Sequence, residues 1–192
     1  MKPILTTCKS YEGSDERYTR AEAIIPIVKF LPKEKVIWCP CDTKDSKFVK
    51  IFKENNLNVV YSHISYGQDF YTYEPSKWDI LITNPPFANK TDFIKRVLSF
   101  RKPFALLLPL TWLNDTISYK LFKDIDLQLV IFDKRTQYDN TPQAKQNIPF
   151  KSGYYADRIF NKQITFLELC REQKLFKDFE KEYKHEHTCF CR

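Results

Sequence analysis

Apolar positions in this chain fall into short runs, and most runs are continuous rather than alternating with polar residues. The candidate strands are "VIWCP" (36–40), "NVVYSHI" (58–64), "DILITN" (79–84), "FALLLPL" (104–110), "LQLVIF" (127–132) and "QITFLEL" (163–169). Parallel strands covered on both faces read this way, because both faces need apolar residues. Between the runs, charged and apolar residues recur at helical spacing, which predicts helices at about 19–31, 45–55, 90–100 and 115–123. Strands alternating with helices, in a chain with three glycines, predict an α/β fold with a mainly parallel sheet. No internal repeat or low-complexity linker interrupts the pattern.

Two regions stand outside it. Residues 134–162 carry six Lys/Arg against two Asp, with Tyr138, Phe150, Tyr154, Tyr155 and Phe160 interspersed. They form the longest stretch without a convincing periodic element, and long irregular segments in compact domains are often functional. Residues 171–192 mix six basic with five acidic residues and read as a charged helix passing into a flexible tail, "HEHTCFCR". His185, His187, Cys189 and Cys191 alternate in a way unlike a structural zinc site, so no metal is expected.

Composition narrows the class. With 192 residues and 43% hydrophobic content, the chain suits one domain, since two halves would each have a marginal core. Lys and Arg exceed Asp and Glu by 31 to 24, a formal charge of +7, which favours polyanionic partners. The N-terminus "MKPILTTCKS" lacks the apolar centre of a signal peptide, so the six cysteines are expected as reduced thiols in the cytoplasm. No apolar run approaches the roughly 20 residues of a membrane-spanning helix.

The candidate chemistry lies in "DILITNPPF" (79–87), where a buried-type strand ends on Asn84-Pro85-Pro86-Phe87. Ligands of open α/β sheets bind beyond the carboxyl ends of the strands. Consecutive prolines fix the backbone and offer carbonyls without competing N–H groups. If the substrate is an exocyclic amine on a base, the Asn84 side-chain oxygen and the Pro85 carbonyl can each accept one N–H. The nitrogen lone pair is then turned out of conjugation toward an electrophile, and Phe87 can stack on the base.

"TNPPF" after an apolar strand resembles the catalytic motif of S-adenosylmethionine-dependent amino-methyltransferases, above all the N6-adenine DNA methyltransferases. "ERYTRAEAIIPIVKFLP" (16–32) is similar to the approach and helix before that family's cofactor strand. "VIWCPCD" resembles the cofactor strand and its loop, "GQDFY" (67–71) the acidic-aromatic pair that holds the cofactor's adenine, and "KPFALLLPLTWL" (102–113) the strand after the catalytic motif. The resemblance covers about 16–135, with the strand at 163–169 as a further match. It implies a Rossmann-like methyltransferase fold, mainly parallel, with an antiparallel C-terminal strand. It also implies S-adenosylmethionine contacts from Thr19, Cys39, Pro40, Asp42, Ser46, His63, Asp69 and Phe70. Asp69 would accept from the adenine amino group, with Phe70 against the ring.

Two features depart from the family. The first loop, "WCPCDTKDSKF", has no glycine, and Ser62-His63 stands where an acid usually binds the ribose hydroxyls. Either Asp42 meets the methionine ammonium and Ser46 or Lys47 its carboxylate, or the pocket has lost the cofactor. The expected function is methyl transfer to adenine in DNA with base flipping. The same reaction on structured RNA is one alternative, and a non-catalytic nucleic-acid-binding protein on a degenerate scaffold is another. Phosphates would meet Lys90, Lys95, Arg96, Lys134, Arg135, Lys151 and Tyr154, although solvated helix faces explain the same charges.

Overall fold

The computed structural model describes residues 18–86, 89–139 and 151–169. Its strands are β1 (Tyr18–Thr19), β2 (Val36–Pro40), β3 (Asn58–Ser62), β4 (Ile80–Thr83), β5 (Phe104–Pro109), β6 (Gln128–Phe132), β7 (Tyr138–Asp139), β8 (Ser152–Asp157) and β9 (Ile164–Leu167). The helices are α1 (Ala21–Val28), α2 (Lys47–Glu54), α3 (Lys90–Ser99) and α4 (Thr116–Phe122). Seven strands form one mixed sheet in the order β3-β2-β4-β5-β8-β6-β9, and β1 pairs with β7 in a separate two-stranded ribbon.

The continuous apolar runs follow from burial on both faces. Successive side chains in a strand point to opposite sides, so β5 sends Ala105 and Leu107 into a core with Ile37, Ile82 and the apolar faces of α1 and α2. Phe104, Leu106 and Leu108 enter the opposite core, with Trp38, Leu81 and the α3 residues Phe93, Ile94 and Val97. Local signals set the helix starts as well. Ser46 caps α2 by accepting from Val49 N–H at 3.3 Å, and Asp115 caps α4 by accepting from Ile117 N–H at 2.7 Å.

The segment expected to be irregular and substrate-facing contains a central strand. β8 lies between β5 and β6, antiparallel to both, with Ser152 through Ala156 buried. Tyr154 and Tyr155 enter opposite cores, and each hydroxyl finds a carbonyl: Tyr154 donates to Ala23 O at 3.1 Å and Tyr155 to Pro109 O at 2.9 Å. A Cβ at Gly153 would collide with the Val130 carbonyl oxygen and crowd the Leu110 side chain. Tyr154 is therefore a core residue, not the nucleic-acid contact its basic neighbourhood suggested. The antiparallel strand is likewise not the C-terminal one, because β9 runs parallel to β6. Residues 140–150 of the basic segment and the tail at 171–192 lie outside the described residues. No helix among the described residues is long and apolar enough to cross a membrane.

Candidate functional site

The parallel strands β2 to β5 place their carboxyl ends along one edge. There Asn84 is half-buried, Pro85 buried and Pro86 half-buried, while Phe87 lies outside the described residues. The residue before Asn84 makes the decisive contacts. Thr83 is 1% exposed, and its Oγ1 lies 2.7 Å from Pro40 O and 3.0 Å from Asp42 Oδ2. Asp42 in turn donates its backbone N–H to Ser62 O at 3.1 Å. The ends of β4, β2 and β3 are thereby stitched together through Thr83 and Asp42.

The chemistry of Asp42 follows from that enclosure. Burial pushes its carboxyl up to about 7, while hydrogen bonds from Ser46 and Thr83 restrain the rise. Burial, and then the Asp42 charge, also push the Cys39 thiol up. Cys39 and Pro40 form the buried end of β2. The turn that follows has Cys41 at φ 66°, in the left-handed region where glycine is the usual occupant. The glycine-free loop thus keeps a turn of glycine type, at a cost of about 1–2 kcal/mol for the side chain.

The β1–β7 ribbon pairs Thr19 with Tyr138 and Tyr18 with Asp139. It is fastened at this same edge. Tyr138 Oη donates to Ser152 Oγ at 2.7 Å, opposite Pro109 at the end of β5. Asp139 accepts from Arg20 Nε and from Lys47 Nζ, each at 2.7 Å. Burial would raise the Asp139 carboxyl, but these two cations hold it below the usual carboxylate value. Lys47, expected as a partner for a cofactor carboxylate, is bound to Asp139. Thr19 on the ribbon and Thr136 just before its second strand are buried, and their hydroxyls have no hydrogen-bond partner among the described residues.

The remaining expected residues divide. His63 caps a short 3-10 turn, its Nδ1 accepting from Ser65 N–H at 3.1 Å. Asp69 Oδ1 accepts from Tyr71 N–H at 3.0 Å, a local turn bond. Phe70 is 2% exposed, stacked on Phe93 with ring centroids 4.0 Å apart, and the Arg96 guanidinium lies over its ring. A ring so enclosed is core and has no face left for a purine. Arg96 is also structural, since its Nε donates to Phe70 O at 2.6 Å. Lys90 sits over the Trp112 ring at 4.8 Å, at the start of α3. Lys95 pairs with Asp92, Lys134 approaches Asp133, and Arg135 and Lys151 are exposed. An open depression of about 520 Å³ beside the end of β3 is lined by Lys44, Tyr61, Tyr66 and Gln68, and neither Asp42 nor Asn84 is part of its wall.

Sequence reasoning overlooked Thr83 and Cys41. Thr83 had a usable signal, because a hydroxyl ending the buried run "ILIT" requires a partner. Nothing in the sequence marked the left-handed turn at Cys41, since the residue that usually announces one is missing.

No family model matches the chain, and no curated protein matches it. Among solved structures it is similar to "a modification subunit of a putative type I restriction enzyme from Vibrio vulnificus YJ016", with a TM-score of 0.50 and 12% identity. The match covers 92% of this chain and 54% of that one, so the chain spans about half the length of the subunit. At this identity the likeness bears on the fold alone. That fold is α/β, with a mixed parallel and antiparallel sheet and helices on both faces.

Proposed function

We propose that the chain is an S-adenosylmethionine-dependent methyltransferase acting on the exocyclic amine of adenine in DNA, within a single Rossmann-like domain. The observation that carries this reading is the joint at the carboxyl edge. Asn84-Pro85-Pro86 ends a buried parallel strand, and the preceding Thr83 is bonded to the loop that would hold the cofactor. The sheet order supports it, with β3-β2-β4-β5 parallel and one antiparallel strand, β8, inserted before β6. The structural likeness to a protein described as a modification subunit points the same way.

The residues present suit the cofactor at its amino-acid end. Asp42 is a buried acid whose side-chain partners among the described residues are hydroxyls, and a ligand ammonium would supply the cation. Thr19 offers a buried hydroxyl without a partner among the described residues. The turn at Cys41 keeps the left-handed backbone of a glycine turn while retaining a side chain. When bound, S-adenosylmethionine supplies an electrophilic methyl group. The chain's part is positioning. Asn84 Oδ1 and Pro85 O accept the two N–H groups of the adenine amine, and the paired prolines keep these acceptors fixed while the lone pair is aimed. No general base is required for attack, because the proton leaves readily from the methylated amine. Lys90, Lys95, Lys134, Arg135 and Lys151 are the candidate phosphate contacts. Phe87 is the candidate platform for the flipped base.

Labelled S-adenosylmethionine should be offered with duplex DNA and with transfer and ribosomal RNA side by side. The expected result is label in N6-methyladenine of DNA, reduced at least about 100-fold by Asn84→Ala through loss of one acceptor. Label in RNA alone would move the substrate to structured RNA. Absence of transfer, together with absence of cofactor binding, would leave a binding protein on a methyltransferase-like scaffold.

A further inference from the structure

We propose that Thr83 is a positioning residue: its hydroxyl fixes the Asp42 carboxyl against the end of β2 and links the arrival of a ligand ammonium there to the strand end that carries Asn84. The identity of the ligand rests on the cofactor reading above, whereas the Thr83–Asp42 link does not.

The argument is a count of protons. A threonine hydroxyl has one hydrogen to give, yet Thr83 Oγ1 faces two acceptors, Pro40 O at 2.7 Å and Asp42 Oδ2 at 3.0 Å. Both contacts are satisfied only if Thr83 donates to Pro40 O and Asp42, as a neutral acid, donates to Thr83. Once Asp42 is ionised, the best use of the Thr83 hydrogen is the carboxylate, and Pro40 O gives up its donor. The hydroxyl therefore has two settings, chosen by the proton on Asp42. Thr83 is buried and sits between β2 and Asn84, so each setting is felt at the loop and at the strand end alike.

A ligand ammonium selects the second setting. The balance is Asp42–COOH plus R–NH₃⁺ giving the Asp42 carboxylate paired with R–NH₃⁺, with one proton released to water. The groups acting on Asp42 are the Ser46 hydroxyl at the cap of α2 and the Thr83 hydroxyl from β4. The Cys39 thiol of β2 and the Tyr154 phenol of β8 also sense its charge, and burial pushes both up, so they remain neutral. Lys47 on α2 and Arg20 before α1 are bound to Asp139. The exchangeable proton therefore belongs to Asp42.

Two measurements on the full chain test this. In the first, the Asp42 carboxyl is titrated by ¹³C NMR in wild type, Thr83→Val and Thr83→Ser, each checked for folding by its melting curve. Valine should move the Asp42 midpoint upward by removing a donor to the carboxylate, and serine should restore it. An unmoved midpoint in Thr83→Val overturns the proposal. In the second, calorimetry in buffers of different ionisation enthalpy counts protons released on binding S-adenosylhomocysteine, which has the ammonium, and 5′-methylthioadenosine, which lacks it. With a midpoint of about 7, release should be about 0.9 proton at pH 6 and about 0.5 at pH 7 for the first ligand, and none for the second. Thr83→Val should weaken only the first, by about tenfold. Equal release by both ligands overturns the ammonium link. If wild type binds neither, the ammonium link falls together with the cofactor reading, and the NMR titration still decides the bond between Thr83 and Asp42.

Discussion

Two aspartates at the same edge of the sheet are treated in opposite ways. Asp139 is half-buried, and two cations meet it at 2.7 Å, so its carboxyl is held low. Asp42 is buried, with 9% of its surface exposed, has hydroxyls for neighbours, and is pushed up to about 7. Distance along the chain does not explain the contrast, because α2 and its cap supply partners to both, Lys47 to one and Ser46 to the other. The first carboxyl is completed from within the protein and fastens the ribbon to α2. The second meets only hydroxyls among the described side chains, which is why we propose it as the group that receives a ligand's cation. A completed ion pair reads as architecture, and an incomplete acid at a strand end reads as a binding group.

The largest expected effect separates the two by pH. The Asp42 carboxyl binds its proton more tightly folded than unfolded, so between about pH 4 and 7 the native state holds more protons and stability falls as pH rises. A rise from 3.8 to about 7 corresponds to about 4 kcal/mol over that window. Urea melts of Asp42→Asn should lose this slope and show the variant more stable than ligand-free wild type at pH 8. Asp139 has the opposite sign: its contribution is present above the unfolded carboxylate value and is lost as pH falls through its lower folded value. A wild-type curve that rises from pH 4 to 7 would break the contrast.

Next in size is ligand affinity. Asp42→Asn should weaken S-adenosylmethionine binding about 100-fold, as expected when a buried ion pair loses one member. Asp139→Asn should change it by less than about threefold. A smaller effect concerns stability at neutral pH, where Asp139→Ala should cost about 1–2 kcal/mol in a thermal melt. Its pairs with Arg20 and Lys47 are about a third exposed, and exposure discounts them. The smallest effect is salt dependence. Between 0.05 and 1 M NaCl, wild type should lose less than about 1 kcal/mol relative to Asp139→Ala, because screening reaches exposed pairs first.

Much of the architecture was legible because parallel strands leave a strong signature. "VIWCP" became β2 without a shift, and "FALLLPL" became β5 short by one residue. β8 was not legible, because "SGYYAD" buries itself through two tyrosines, a glycine and an alanine rather than through a branched-chain run. Tyrosines beside lysines look like a binding surface until their hydroxyls are found on interior carbonyls. At the candidate site, the strand end at Asn84 and the acid at Asp42 were readable from order along the chain. The bond between Thr83 and Asp42 was not, since it joins residues 41 positions apart. Phe70 misled for a simple reason: an aromatic beside an acid has the same letters whether the ring faces a ligand or Phe93.

The placement of β8 also bears on how the molecule is made. Its partners β5 and β6 are synthesised first, and each pairs with β8 rather than with the other. A nascent chain that has emerged only as far as Phe132 therefore carries two unsealed seams. The middle of the sheet closes only when Ser152 to Asp157 leaves the ribosome, so a chaperone has most reason to attend the chain in the interval before that segment emerges.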